Sequence, residues 1–115
     1  MSHTDLKYLK NITEGDTESM REIILLFIEQ VPEFIENLKR SLAEGKYDEL
    51  GNEAHKAKSS VMIMGMEKLG HDLKALQIAT INKTGQKTYP QQVQIFEEEC
   101  LAAVEELEQL LSKMK

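Results

Sequence analysis

The sequence predicts an all-α domain: an antiparallel (up-down-up-down) four-helix bundle with a short additional helix at its N-terminus. Three observations carry that prediction. Apolar residues recur at three-and-four spacing through four long segments, short glycine-marked turns separate most of them, and no segment alternates polar and apolar residues as a strand would. With 115 residues, 41% hydrophobic and 30% charged, the chain fits one domain around one core and is too apolar for a disordered polypeptide.

The first element is read over Asp5 to Thr13, with Leu6, Leu9 and Ile12 on one side. Glu14-Gly15-Asp16 interrupts it, and Asp16 or Thr17 can cap the second helix. Residues 1–15 therefore form the short N-terminal helix, and residues 16–115 the bundle. The second helix carries a stripe of Met20, Ile23, Ile24, Phe27, Val31, Phe34, Ile35, Leu38 and Leu42. Pro32 removes one backbone donor inside it, which predicts a kink. The stripe continues in phase beyond Pro32, so the helix is read as one piece until Gly45 stops it.

The third helix is read from about Lys46 to Met64. At 100° per residue, Ala54, Ala57, Val61 and Met64 fall within about 40° of Leu50 and define its core face. His55 falls about 140° from Leu50, with Gly51, Lys58 and Met62 on the same flank. The fourth helix is read over Glu67 to Thr84, with Leu69, Leu73 and Leu76 inward and Gly85 as its end. Thr88-Tyr89-Pro90-Gln91 then reads as a capping box. The last helix places Val93, Phe96, Cys100, Val104, Leu107, Leu111 and Met114 on one face.

Composition excludes several functions. The net charge is −6 with no basic stripe, so neither nucleic acid nor a membrane surface is an expected partner. The longest clean apolar run, Ile23 to Ile28, is far shorter than the roughly 20 residues of a membrane span. The N-terminus lacks a basic flank and apolar core, so no signal peptide is expected. One cysteine, Cys100, precludes an internal disulfide and suits the cytoplasm. Gly65 and Gly70 precede His71-Asp72 rather than Lys and Ser/Thr, so they form no P-loop. His3, His55, His71 and Cys100 lack metal-ligand spacing, and His71 reads as a surface residue. The glutamates at 97–99 and at 105, 106 and 108 read as a solvated face.

His55 is the residue that points to chemistry. Small residues lie one turn to either side, at Gly51 and Ser59, and Lys58 shares its side of the helix. An imidazole clear of bulky neighbours and beside a fixed positive charge is equipped to carry a phosphoryl group. Gln77 lies about 40° from Leu73 on the fourth helix, inside the apolar stripe. An unpaired buried amide costs about 1–3 kcal/mol, so Gln77 needs a partner. If its carbonyl accepts from Nδ1 of His55, Nε2 is left with its lone pair outward. The alternative is a Gln77 at the stripe's edge, bonded to water. Met62 and Ile63 lie outside the core arc, either covered by the N-terminal helix or forming an apolar apron for a partner. Gly51 and Ser59 would leave room for that partner's backbone.

The run His55-Lys56-Ala57-Lys58-Ser59-Ser60-Val61-Met62-Ile63-Met64-Gly65 resembles the signature of histidine-containing phosphotransfer (HPt) domains. Lys58, Ser60 and Gly65 match the lysine three on, a small residue five on and the glycine ten on. Gln77 matches a glutamine twenty-two residues after the histidine. Two positions depart: Ala57 stands where a large apolar residue is common, and Ser59 where glycine is usual. The resemblance covers nearly the whole chain. It implies a relay in which His55 takes a phosphoryl group from one aspartyl-phosphate receiver and passes it to another. Its partners would be response-regulator receiver domains and a hybrid sensor histidine kinase. The resemblance implies no cofactor of its own, Mg²⁺ coming with the receiver, and no independent kinase or ATPase activity; the chain is expected to be monomeric, and either free-standing or a piece of a larger hybrid kinase. Two other classes compete. One is a non-catalytic docking module in which His55 is a bystander. The other is a metal-binding bundle, for which the nearest Glu/His pairing is Asn52-Glu53-Ala54-His55, with Glu53 and His55 diverging.

Overall fold

The computed structural model describes residues 3–114. Its helices are α1 (Lys7–Ile12), α2 (Thr17–Ala43), α3 (Tyr47–Ile63), α4 (Glu67–Asn82) and α5 (Tyr89–Lys113), with a 3₁₀ turn at Gln86–Thr88. Among the described residues there is no strand, and no helix is long and apolar enough to cross a membrane. The molecule measures 46 × 23 × 21 Å. Its length matches that of α2, which spans about 40 Å at 1.5 Å per residue.

The predicted stripes form the core. Ile24, Val31 and Leu38 of α2, Leu50, Ala54, Ala57 and Val61 of α3, and Cys100 and Leu107 of α5 are fully buried. Leu73 and Leu76 of α4 are 2% and 1% exposed and complete the interior. Helix α3 packs on both α2 and α4, and α5 on both α2 and α4, so the contacts close into a ring. Each junction has a local cause. The Asp16 side chain accepts from the Ser19 amide at 3.0 Å and the Ser19 hydroxyl at 2.6 Å, capping α2. Those two bonds hold the Asp16 carboxyl below its ordinary range. Helix α2 passes unbroken through Pro32, which faces solvent. The left-handed Gly45 and Gly65 end the turns after α2 and α3.

Four details differ from the sequence reading. Helix α1 is shorter than predicted, yet Leu9 is fully buried. Helix α4 ends at Asn82 because Lys83 takes a left-handed conformation. Thr88 makes no side-chain cap: its hydroxyl donates to the Gly85 carbonyl at 2.7 Å. The 3₁₀ turn runs directly into α5, and the Thr88 amide is satisfied by the same Gly85 carbonyl at 2.9 Å, so no capping box is required. Finally, Glu106 belongs to no solvated face, since it accepts from the His3 amide at 2.7 Å and the Thr4 hydroxyl at 2.8 Å.

Tyr89, absent from the predicted stripe, is fully buried at the start of α5. Its ring meets Tyr47 edge-on with centroids 5.2 Å apart, and its hydroxyl donates to the Thr84 carbonyl at 2.7 Å.

Candidate functional site

The site begins with the core face of α3. Burial of Leu50, Ala54, Ala57 and Val61 fixes the helix's rotation. The flank next to that face, carrying Gly51, His55, Lys58 and Met62, is thereby turned toward α4. His55 is exposed, and its Nδ1 lies 3.2 Å from Oε1 of Gln77. Gln77 is half-buried at the edge of α4's apolar stripe. A carbonyl oxygen only accepts, so Nδ1 carries the proton and Nε2 keeps its lone pair.

Lys58 is half-exposed, and among the described residues it has no ion-pair partner. Its Cγ lies 3.9 Å from the position a Cβ on Gly70 would take, so its stem runs along α4 while the ammonium remains free. Ser59 is exposed. Ser60, by contrast, turns toward α2 and donates to Gln30 Oε1 at 3.1 Å.

Gly51 lies on the predicted flank but is not open to a partner. It is buried, and a Cβ there would overlap the Thr80 hydroxyl of α4 and lie 3.2 Å from Thr80 Cβ. Its missing side chain makes room for a neighbouring helix, and no partner backbone reaches it. The helical wheel located its flank correctly but could not show that α4 fills that flank.

Met62 and Ile63 are half-buried. Together with Ser59 they line a groove that Asp5, Tyr8 and Asn11 close on the other side. The N-terminal segment thus covers them in part and leaves an open trough beside the histidine helix. Gly65 holds that segment in place. At φ +75°, its missing Cβ leaves room for the Asp5 carbonyl, and the Asp5 amide donates to the Met64 carbonyl at 3.0 Å.

Sequence reasoning missed four contributors. Thr80, only 4% exposed, donates its hydroxyl to the Gln77 carbonyl at 2.7 Å and fills the notch at Gly51. Gly70 receives the sulfur end of Met62. Tyr8 and Asn11 supply the far wall of the trough. A glycine inside a helix, unneeded for any turn, was the available signal for Gly70. Glu53 is bonded to Asn37 Nδ2 at 3.1 Å while His55 faces Gln77, so the two diverge as expected. Among the described residues no three His, Cys, Asp or Glu side chains cluster as metal ligands.

The arrangement presents an exposed imidazole whose Nδ1 faces a carbonyl oxygen, beside a free ammonium and an open trough. No curated protein and no solved structure matches the chain. The family model described as Hpt domain matches residues 22–112, a span that takes in most of α2 and all of α3 and α4, and with them His55 and Gln77. The chain belongs to the Hpt domain family, a phosphotransfer module of two-component signalling.

Proposed function

We propose that this protein is a phosphorelay intermediate in which Nε2 of His55 receives a phosphoryl group from the aspartyl phosphate of one receiver domain and delivers it to the aspartate of another. The observation that carries the proposal is the bond between His55 Nδ1 and Gln77 Oε1 on a ring otherwise open to solvent. It directs the unprotonated nitrogen at whatever docks on α3.

The chemistry follows from that geometry. The Nε2 lone pair attacks phosphorus in line as the P–O bond to the donor carboxylate breaks, and the carboxylate leaves as an anion. The proton stays on Nδ1, where the Gln77 carbonyl stabilises the positive ring that develops. Lys58 offsets the charge of the phosphoryl oxygens. A Mg²⁺ ion, held by the receiver and not by residues of this chain, would supply neutralisation of phosphoryl charge in the loose transition state. Onward transfer reverses these steps: a second aspartate attacks phosphorus, the P–N bond breaks and the neutral imidazole returns. The bundle contributes placement, since a helix fixed by its core face holds the nucleophile so that docking achieves alignment. The trough formed by Ser59, Met62 and Ile63 against Tyr8 gives the receiver an apolar seat.

The proposal extends to the architecture and setting. The ring of helix contacts and the tight turns after α2 and α3 support an up-down-up-down connection of α2 to α5. The working unit is a monomer in the cytoplasm, where a single buried cysteine stays reduced. Its partners are response-regulator receivers and a hybrid sensor histidine kinase.

The test is incubation with a panel of phosphorylated receiver domains and Mg²⁺, beside the His55→Gln variant. Label on the wild type alone supports the relay. Equal label on both proteins removes His55 from the reaction. Receiver binding without label on either supports a docking module instead.

A further inference from the structure

The α3–α4 interface is closed by two glycine notches, one on each helix. On α3, Gly51 receives Thr80; on α4, Gly70 receives Met62. His55 lies between Gly51 and Met62, and Gln77 lies between Gly70 and Thr80. The two notches are not equivalent. The atom at Gly70 is the sulfur end of a flexible side chain, which can swing away. Thr80 is short and β-branched, and its hydroxyl is held by the 2.7 Å bond to the Gln77 backbone carbonyl. Rotating it out of the notch breaks that bond. Even then Thr80 Cβ would lie 3.2 Å from an added Cβ at position 51, closer than ordinary contact.

We propose that Gly51 and Thr80 form a spacer that sets the α3–α4 separation at the His55–Gln77 pair, making both positioning residues for the phosphoryl-accepting ring. His55 is one turn from Gly51 and Gln77 one turn from Thr80, so the gap at the notch is felt directly at the pair. That pair has little slack. At 3.2 Å, the Nδ1···Oε1 contact is already at the long end of a good N–H···O bond, and a few tenths of an ångström more weakens it severely. The inference rests on the reading of His55 as the reacting group. Its readout is the resting ring's tautomer, so failure of the spacer and failure of phosphotransfer are separately visible.

The test is ¹⁵N NMR of the neutral imidazole in wild type, Gly51→Ala, Thr80→Ala and the double variant. Wild type shows the proton on Nδ1. In Gly51→Ala the ratio of Nδ1–H to Nε2–H tautomers falls by about fivefold, the ratio set by a hydrogen bond of this length. In the double variant the methyl added at position 51 no longer meets the Thr80 hydroxyl, only the remaining Cβ at 3.2 Å, so the tautomer ratio recovers in part, to between that of Gly51→Ala and wild type. Gly70→Ala, which displaces only the Met62 tip, leaves the ring unchanged. A folded Gly51→Ala protein with the wild-type tautomer overturns the proposal. So does a folded double variant whose ring reverts to Nε2–H, a comparison that remains decisive if the single variant does not fold.

Discussion

Replacing Gln77 by alanine removes one acceptor from His55 and nothing else from the reacting pair. Its magnitude can be worked from the contact. A neutral hydrogen bond contributes about 0.5–1.5 kcal/mol net. This one is long, at 3.2 Å, and lies at the surface, where water can take the place of the lost carbonyl. A loss of about 1 kcal/mol is therefore expected, which corresponds to a roughly fivefold fall in transfer rate. The assay is single-turnover transfer from a phosphorylated receiver under saturating His-domain concentration, so that chemistry and not docking is read. Circular dichroism melts should coincide for the two proteins, because Gln77 is only half-buried. An unchanged rate would remove Gln77 from the mechanism. Complete loss of transfer would also refute the reasoning, because an orienting group does not react.

Other parts of the structure lead to further expected outcomes. Lys58→Ala should slow transfer a few-fold, with the effect shrinking as salt rises, because a half-exposed ammonium acts through a screened field. Gly65→Ala should destabilise the fold by about 2–3 kcal/mol in urea titrations, combining left-handed strain with displacement of the Asp5 carbonyl. Gly45→Ala, with φ +69° and open space around it, should cost only the strain, about 1 kcal/mol. Burial, with a smaller push from Glu99, raises the Cys100 thiol from 9.0 to about 12. The native protein should therefore resist alkylation that the urea-unfolded chain undergoes. Above about pH 9 the unfolded chain releases the thiol proton and the folded one does not, so stability should fall between about pH 9 and pH 12. Burial of Tyr89 beside Tyr47 acts in the same direction.

The stripes of α2, α3 and α5 were legible because a 3.6-residue period records which side of each helix leaves water. The same wheel placed His55 off the core face and Gln77 inside the stripe of α4; Gln77 lies half-buried at the stripe's edge, and the two side chains meet. Gly51 shows where that reading stops. Periodicity identifies a flank but not what occupies it, and the space at Gly51 belongs to Thr80 of α4. Thr80 itself carried no apolar signal, being a polar residue that becomes buried by bonding to its own helix. Met62 and Ile63 were readable as outside the core, but their partial cover by the N-terminal segment depends on long-range contacts such as Asp5 to Met64. Thr88 had the composition of a cap, yet the preceding 3₁₀ turn supplied the carbonyl that its amide needed.

The most direct measurement of the central claim is the location of the phosphoryl group after transfer from a cognate receiver, by ³¹P NMR and peptide mapping of the wild-type protein. The structure leads to one acid-labile, base-stable phosphoryl group on Nε2 of His55, and none on His3 or His71. Phosphate on Nδ1 of His55, on another histidine, or on no histidine at all would contradict the account.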